Sequence, residues 1–544
     1  MIVLDFLTNS AKKVPDKPAV IADDGQATFA ELDTLSSRVA SALHQAGIKR
    51  GEKVGMCFGN DEARHYMSVY FGIQKLGALP VPINPRLATP EKLFILEHSD
   101  ASALITSAKY GEQFGPAARG EPVQIEGRPG ELKLRKAFAT GPAVPAGFEA
   151  LDPVLESGST DYPALDPLPG SDDPVDIMYT SGTTGMPKGV VTPQGNLIHE
   201  GDMGEMMSMM FGEGMLLHTV PLYGYTGGHG IMLMALSGGV TQRIPGKFDV
   251  ERFFKIINDE NVTAMFMVPT MLNLMVNHPE VRNVDFSRVR FIATASAPLP
   301  IDTVRKMKEL WPDTMLINAY GQTEAGGSMV TMLGPSYDDF LDHPGSIGRP
   351  MAPGVEVVVV DRETGEVLPP GQIGEICFKS EQARRFYYKG EDKTKESWRG
   401  GMLHTGDVGY VDEDGYIYLT DRIKDMVLRG GYNIFAVEVE NVLYDHPDIL
   451  EAAVVGIPHP RLGEDVLAVV VPMPGKKGGE GSLTPEAIYE YCKQHLADYK
   501  CPRHVVFVEE LPRNAMGKLL KAQLREAYKD LITQSDKYRS EAAQ

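Results

Sequence analysis

Hydrophobic spacing in the first 110 residues alternates between the helical period and short apolar runs. Thr28-Phe29-Ala30-Glu31 has the form of a capping box, in which hydroxyl and carboxylate serve the free N–H groups of a helix start. Leu32, Leu35, Val39 and Leu43 follow at helical spacing, and Gly47 sits where a C-terminal cap belongs. Lys53–Phe58 reads as a short strand. Asn60 reads as the cap of a helix carrying Tyr66, Met67, Tyr70 and Phe71, ended by Gly77. Strand, helix, strand at this spacing predicts a parallel α/β sheet. From about Gly111 to Asp176 the periodicity fades and Pro and Gly recur, which predicts irregular connection with a few short strands. The α/β pattern resumes at Ile177, with buried strands expected at Val262–Val268 and Arg290–Thr294. Beyond Pro344, Val355–Val360 and Gly374–Lys379 read as strands joined through the turn Glu363-Thr364-Gly365-Glu366, an antiparallel subdomain. After Asp421 a small unit is expected, with strands near Ala452–Gly456 and Val466–Val471 and helices near Pro485–Leu496 and Leu519–Ile532.

Composition narrows the class. The chain has 544 residues, 43% hydrophobic and 23% charged, which fits a soluble globular protein of about three or four folding units. Lysine and arginine total 53 against 73 acidic residues, a net charge of −20, so nucleic acid and anionic membrane surfaces are poor partners. A local basic pocket for an anion remains compatible with that balance. Cys57, Cys377, Cys492 and Cys501 are dispersed and form no CxxC pair, which argues against a disulfide scaffold or zinc ribbon. Asp5 interrupts the N-terminal apolar run, and no stretch is long enough for a transmembrane helix. The cytoplasm is the expected compartment.

Four segments carry chemistry. The first is Thr180-Ser181-Gly182-Thr183-Thr184-Gly185-Met186-Pro187-Lys188-Gly189, behind the apolar Ile177-Met178-Tyr179. Glycines expose backbone N–H groups, hydroxyls add donors and the lysine adds charge, which together suit a polyphosphate. A flexible surface loop is the plain alternative, and the fixed register of Pro187-Lys188-Gly189 argues against it. Lys188 lies between Pro187 and Gly189, so this is not a Walker A loop. The second is Asn318-Ala319-Tyr320-Gly321-Gln322-Thr323-Glu324. An aromatic can flank a base, a hydroxyl can hold a phosphate oxygen, and a lone carboxylate beside phosphates suits Mg²⁺. A strand-end turn accounts for the same residues taken alone. The third pairs His404-Thr405-Gly406-Asp407 with Asp421-Arg422-Ile423-Lys424-Asp425. Asp407 and Arg422 have the chemistry to bind ribose hydroxyls; a surface turn and a solvated charge run are the alternative. The fourth, Pro512-Arg513-Asn514-Ala515-Met516-Gly517-Lys518, is weak by itself.

In this order and spacing the four are far more specific than any one. From about residue 10 to about residue 525 the chain resembles the adenylate-forming superfamily: acyl-CoA synthetases, aryl-CoA ligases, firefly luciferase and nonribosomal peptide adenylation domains. The resemblance implies an α/β fold with a large N-terminal domain of layered sheets, a small antiparallel β-subdomain and a small mobile α+β C-terminal domain. The expected boundary divides 1–421 from 422–544, with a hinge at Lys424. It also implies two half-reactions: a carboxylate attacks the α-phosphate of ATP to give acyl-AMP and pyrophosphate, and a thiol, usually of coenzyme A, then displaces AMP.

Carried over by position, Thr180, Ser181, Gly182, Thr183, Thr184, Gly185 and Lys188 hold the β- and γ-phosphates. Tyr320 lies against adenine with Ser296, Ala297 and Pro298, and Asn318, Gly321 and Gln322 complete the nucleotide segment. Thr323 meets the α-phosphate, and Glu324 with Thr180 holds Mg²⁺. Asp407 and Arg422 hold the ribose, and Lys518 reaches the attacking carboxylate and the α-phosphate. Gly430, Gly431 and Tyr432 form the thiol tunnel, and Tyr223, Gly224, Tyr225 and Gly228 border the acyl pocket. The partners implied are a carboxylic acid, ATP and coenzyme A, with the chain a monomer or homodimer.

Two departures stand out. Where relatives often read Pro-Leu-Phe-His, this chain reads Pro221-Leu222-Tyr223-Gly224, so no histidine orients the substrate there and an enlarged pocket is expected. The adenine segment, often Gly-Gly-Ala-Pro, reads Ala295-Ser296-Ala297-Pro298, which puts glycine-specific dihedrals in question. Residues 203–275 hold twelve methionines, suited to an apolar pocket or to core packing. No aspartate that clearly awaits an ammonium group is seen in the acyl region, and no carrier-protein extension is expected, which argues against a peptide-synthetase module. An apolar acyl or aryl acid is the expected substrate. An amide synthetase, a luciferase-like oxygenase and a non-catalytic nucleotide binder are the alternatives; Lys188, Glu324 and Lys518 argue against the last.

Overall fold

The computed structural model describes residues 2–125, 127–180, 187–197, 204, 208–209, 213–334, 337–350, 354–380, 385–422, 425–430, 432–473, 475–476, 483–513 and 519–534. The chain forms two compact units, Met1–Glu356 with Phe378–Leu403, and Val357–Cys377 with His404–Gln544.

The first unit contains the predicted α/β layers. Its largest sheet runs Gly327–Gly334, Met315–Gln322, Phe291–Ala295, Val262–Met267, Met215–His218, Thr241–Ile244, Pro18–Ala22, Gly25–Thr28. The inner strands are parallel, and the two outermost pairings are antiparallel. A second sheet, Leu79–Pro82, Lys53–Cys57, Ala101–Ser107, Lys136–Thr140, Glu149–Ala150, is parallel throughout. A third sheet pairs Pro174–Thr180 with Lys188–Pro193 and Phe386–Tyr387, antiparallel.

Helix Phe29–Gln45 starts as predicted: Glu31 N donates to Thr28 Oγ1 at 3.2 Å and Thr28 N donates to Glu31 Oε2 at 2.8 Å. Leu32, Val39 and Leu43 from this helix join Tyr66, Met67, Tyr70 and Phe71 from helix Ala63–Lys75 in one buried cluster. Gly47 (φ +76°) and Gly77 (φ +70°) close the two helices in the left-handed region, where a Cβ is costly.

Asn60 behaves otherwise than predicted. It opens a short 3₁₀ turn, Asn60–Glu62, and does not cap the helix that follows. Its side chain instead donates to Thr219 O and Val220 O, both at 2.9 Å, and accepts from Leu222 N at 3.0 Å. The amide offers two donors and an acceptor, and the buried backbone of residues 219–222 takes all three. Residues 111–176 hold more order than their composition suggested: short strands at Val123–Ile125, Arg128–Gly130, Lys136–Thr140 and Glu149–Ala150, and a helix at Asp152–Ser157.

Of the described methionines in the rich stretch, Met232, Met265, Met267 and Met275 are fully buried core residues, and Met209 is exposed. For those four, packing accounts for the residue type. Met203, Met206, Met207 and Met210 lie outside the described residues.

Glu356–Val360, Gly374–Lys379, Met402–Val411 and Ile417–Arg422 are neighbours in one sheet. Leu368 N donates to Val359 O, closing the predicted turn. Further on, Ile449–His459 and Gly463–Pro472 pair antiparallel over more residues than their apolar centres indicated, because the backbone ladder continues beneath polar side chains. Helix Pro485–His495 is capped by Thr484, and the predicted terminal helix divides into Lys521–Tyr528 and Leu531–Gln534. Among the described residues no helix is long and apolar enough to cross a membrane.

Candidate active site

The phosphate-cradle segment is the loop of a β-hairpin. Thr180 and Lys188 are register partners at the ends of strands Pro174–Thr180 and Lys188–Pro193. Ser181, Gly182, Thr183, Thr184 and Gly185 lie outside the described residues. Gly189 is required here: a Cβ would meet Ile177 Cγ2 at 2.8 Å and the Tyr179 ring at 3.1 Å. The Lys188 ammonium rests 5.1 Å from the ring centre of Tyr387, which keeps the cation near the cradle without neutralising it.

Glu324 arrives from another sheet. Strand Met315–Gln322 ends in the 3₁₀ turn Thr323–Ala325, closed by Gly326 at φ +79°. Glu324 Oε1 accepts from Tyr387 OH at 3.0 Å and, more weakly, from Thr180 Oγ1 at 3.5 Å. Burial, reinforced by the Glu324 charge, raises the Tyr387 phenol well above its ordinary pKa, so it stays a donor. The predicted Thr180–Glu324 pair is therefore brought together, with Lys188 alongside. A single carboxylate beside a hydroxyl at the edge of a phosphate cradle fits Mg²⁺, which takes one or two carboxylates with phosphate oxygens. Tyr387 escaped the sequence reading. Its only signal was the aromatic run Phe386-Tyr387-Tyr388, and its place follows from the pairing of Val190 with Tyr387 across the sheet.

The two adenine-segment candidates lie on adjacent parallel strands, with Ala295 opposite Ala319. Ser296 and Tyr320 thus leave the same C-terminal edge of the sheet, the usual ligand edge of an open α/β fold. Tyr320 stands 6.0 Å from Phe378, ring centre to ring centre. Asn318 Oδ1 and Gln322 Nε2 are buried without a partner among the described residues and keep hydrogen-bonding capacity for a ligand. Ser296 has φ +75°, so the glycine-type conformation survives without glycine. Such a conformation costs a residue with a Cβ roughly 1–2 kcal/mol. Ser296→Gly is expected to stabilise the protein by about 1 kcal/mol, after the added unfolded-state entropy of glycine is deducted. Denaturant unfolding checks this; a lowered midpoint would contradict it.

In the acyl segment, Asn60 and the Tyr66 hydroxyl, which donates to Leu222 O at 2.8 Å, fix residues 219–222. Tyr223 is buried in the main cluster, and burial pushes its phenol up to about 12. Gly224 precedes a short helix, Tyr225–Gly227, that runs into a π-helix, Gly228–Leu233, a form often found at functional sites. A Cβ on Gly228 would lie 2.6 Å from Leu222 O, so close backbone approach dictates that glycine. The Tyr225 ring carries His229 at its edge, 5.1 Å away, and the Arg385 guanidinium 4.7 Å over its face. Asp176 Oδ2 is 2.6 Å from His229 Nε2 and accepts from Tyr70 OH at 2.8 Å. Nothing along the chain joins Tyr70, Asp176, His229 and Arg385; the first three come from separate elements and Arg385 directly precedes strand Phe386–Tyr387.

In the second unit, Asp407 and Arg422 are register partners on paired strands, so the two ribose candidates are adjacent. Glu375 braces the segment before Asp407: Gly406 N donates to Glu375 Oε1 at 3.1 Å, and His404 Nδ1 lies 2.9 Å from Glu375 Oε2. Gly430 (φ +58°) and Tyr432 flank the turn between Val427–Arg429 and Tyr432–Ile434, with Tyr432 stacked on Tyr499 at 4.7 Å. Lys424, Gly431 and Lys518 lie outside the described residues.

The chain belongs to the AMP-binding enzyme family, whose profile matches residues 7–388, and the AMP-binding enzyme C-terminal domain matches 438–518. It is 32% identical over 510 residues to the long-chain-fatty-acid–CoA ligase FadD13 of Mycobacterium tuberculosis, covering 93% of this chain and 94% of that one. The crystal structure of the anthranilate CoA ligase AuaEII with anthranoyl-AMP superposes at a TM-score of 0.84, with 26% identity and 98% of each chain covered. The amide bond synthetase McbA of Marinactinospora thermotolerans superposes at 0.81, with 27% identity over 97% of this chain and 99% of that one. The chain is thus an adenylate-forming enzyme of the AMP-forming acyl-CoA ligase family.

Proposed function

We propose that the enzyme activates an apolar acyl or aryl carboxylate as acyl-AMP and then passes the acyl group to coenzyme A. The observation that carries this reading is the convergence of Thr180, Lys188, Glu324 and Tyr387 at the mouth of the hairpin. Both reactants of the first step are anions, and their repulsion is strong in a site shielded from water. Lys188 and the backbone of the cradle bind the terminal phosphates. Thr323 donates to the α-phosphate, and Tyr387 with Thr180 holds Glu324 in place. Mg²⁺, held by Glu324 and the phosphates, supplies charge neutralisation when bound. Lys518 approaches the carboxylate and α-phosphate, and holding the two in line supplies the proximity contribution. No side-chain nucleophile is needed, because the substrate carboxylate attacks.

The second step needs a different face, with Gly430, Gly431 and Tyr432 bordering the thiol path. In this reading residues 422–544 turn about Lys424 between the steps. An apolar acid is supported by the likeness to a long-chain-fatty-acid–CoA ligase and to an anthranilate CoA ligase. The likeness to an amide bond synthetase supports a second reading, in which an amine takes the acyl group.

The test is pyrophosphate release across a panel of fatty, aryl and amino acids, with coenzyme A, an amine, or neither. Release with apolar acids and a thioester product supports the proposal; amide formation without thioester favours the second reading, and silence on every acid overturns both. Gly224→Trp is expected to shift kcat/KM by about tenfold towards smaller acids in a chain-length series. An unchanged profile means that Gly224 does not border the pocket.

A further inference from the structure

Arg385 is 3% exposed and among the described residues forms no ion pair. Its Nη1 donates to Thr192 Oγ1 and to Thr323 O, both at 3.2 Å. Its Nε and Nη2 are buried and have no acceptor among the described residues. A guanidinium cannot shed its charge by deprotonation, so a buried one with two idle nitrogens is an electrostatic deficit. Asp176, the carboxylate held by Tyr70 and His229, spends Oδ2 on them, and among the described residues its Oδ1 makes no hydrogen bond to Arg385.

The location of that deficit is informative. The guanidinium carbon lies over the ring of Tyr225, 4.7 Å from its centre, and Tyr225 follows Gly224 in the acyl segment. Its anchor on the Thr323 carbonyl is one residue from Glu324 and the Mg²⁺ candidate pair. The strand that carries Thr192 begins at Lys188. The idle donors therefore sit where the acyl segment meets the α-phosphate segment. A planar fork of N–H groups matches a carboxylate, and the aromatic ring beneath it restrains the plane of the fork.

We propose that Arg385 is the receptor for the substrate's carboxylate. It orients the oxygen that attacks the α-phosphorus, the task left vacant where Gly224 replaces a histidine. This role rests on the adenylation reading above. The α-phosphate has similar anion chemistry, but the Tyr225 platform places the fork on the acyl side.

The experiment measures KM for the acid and for ATP separately, by pyrophosphate release, in wild type, Arg385→Met and Arg385→Lys. Arg385→Met is expected to raise the acid KM by roughly 10- to 100-fold, the loss of a charged hydrogen-bonded pair, and to leave the ATP KM within about twofold. Arg385→Lys keeps the charge without the fork and should fall between the two. A rise in ATP KM alone assigns Arg385 to the α-phosphate and overturns the proposal. Equal changes in both constants, or a lowered melting point with neither changed, make it a structural residue and also overturn it. If Arg385→Met does not fold, the acid KM of Arg385→Lys decides: a selective rise supports the role, and a wild-type value overturns it. An active wild type with an unaltered mutant acid KM refutes only this role. A wild type inactive on every acid refutes the adenylation reading as well.

Discussion

Glu324→Ala is expected to slow acyl-adenylate formation by about two to three orders of magnitude, or roughly 3–4 kcal/mol of transition-state stabilisation. Glu324 is the carboxylate that meets Thr180 and Tyr387 at the cradle, with the Lys188 cation over the same Tyr387 ring. Removing it would take away the proposed negative partner for Mg²⁺ and leave two hydroxyls without their acceptor. Glu324→Gln keeps the shape and the acceptor oxygen but not the charge. It should therefore recover folding stability but little activity. Tyr387→Phe removes only the bracing hydrogen bond and should cost about tenfold. Rapid-quench measurement of acyl-AMP over a Mg²⁺ titration separates these effects. If Glu324→Gln saturates with Mg²⁺ at the native concentration and rate, the carboxylate has no part in metal binding.

Lys518→Ala should be as damaging to the first half-reaction and nearly harmless to the second. Acyl-AMP formation is expected to fall by two or more orders of magnitude, roughly 3 kcal/mol, while thioester formation from supplied acyl-AMP stays near the native rate. The expected reason is charge: in the proposed mechanism the lysine offsets repulsion between carboxylate and phosphate in the first step, and that repulsion is gone once the adenylate exists. Lys424→Pro should give the opposite split, because proline holds φ near −65° and restricts Ile423 at the expected hinge. Single-turnover assays with ATP plus acid, and separately with acyl-AMP plus coenzyme A, read both halves. Parallel losses in the two assays for Lys518→Ala would remove it from the adenylation step.

The sequence by itself determined the local structure of this protein and the identity of its chemistry-bearing segments. The Thr28–Glu31 capping box, the glycine ends at Gly47 and Gly77, and the apolar strands at Val262 and Phe291 are set by contacts a few residues apart, and they stand where predicted. Tertiary structure decided where the long-range partners went. Asn60 carries cap chemistry, yet the buried carbonyls of residues 219 and 220 compete for its amide and win. Ser296 holds a left-handed backbone that its own side chain disfavours, at the end of a buried strand between two parallel neighbours. Tyr387 meets Glu324, and Arg385 meets Tyr225 and Thr323, only because sheet pairing joins segments that lie 60 or more residues apart in the chain. Periodicity and capping report on neighbours along the backbone, whereas a buried charge is placed by whatever the packed core brings to it.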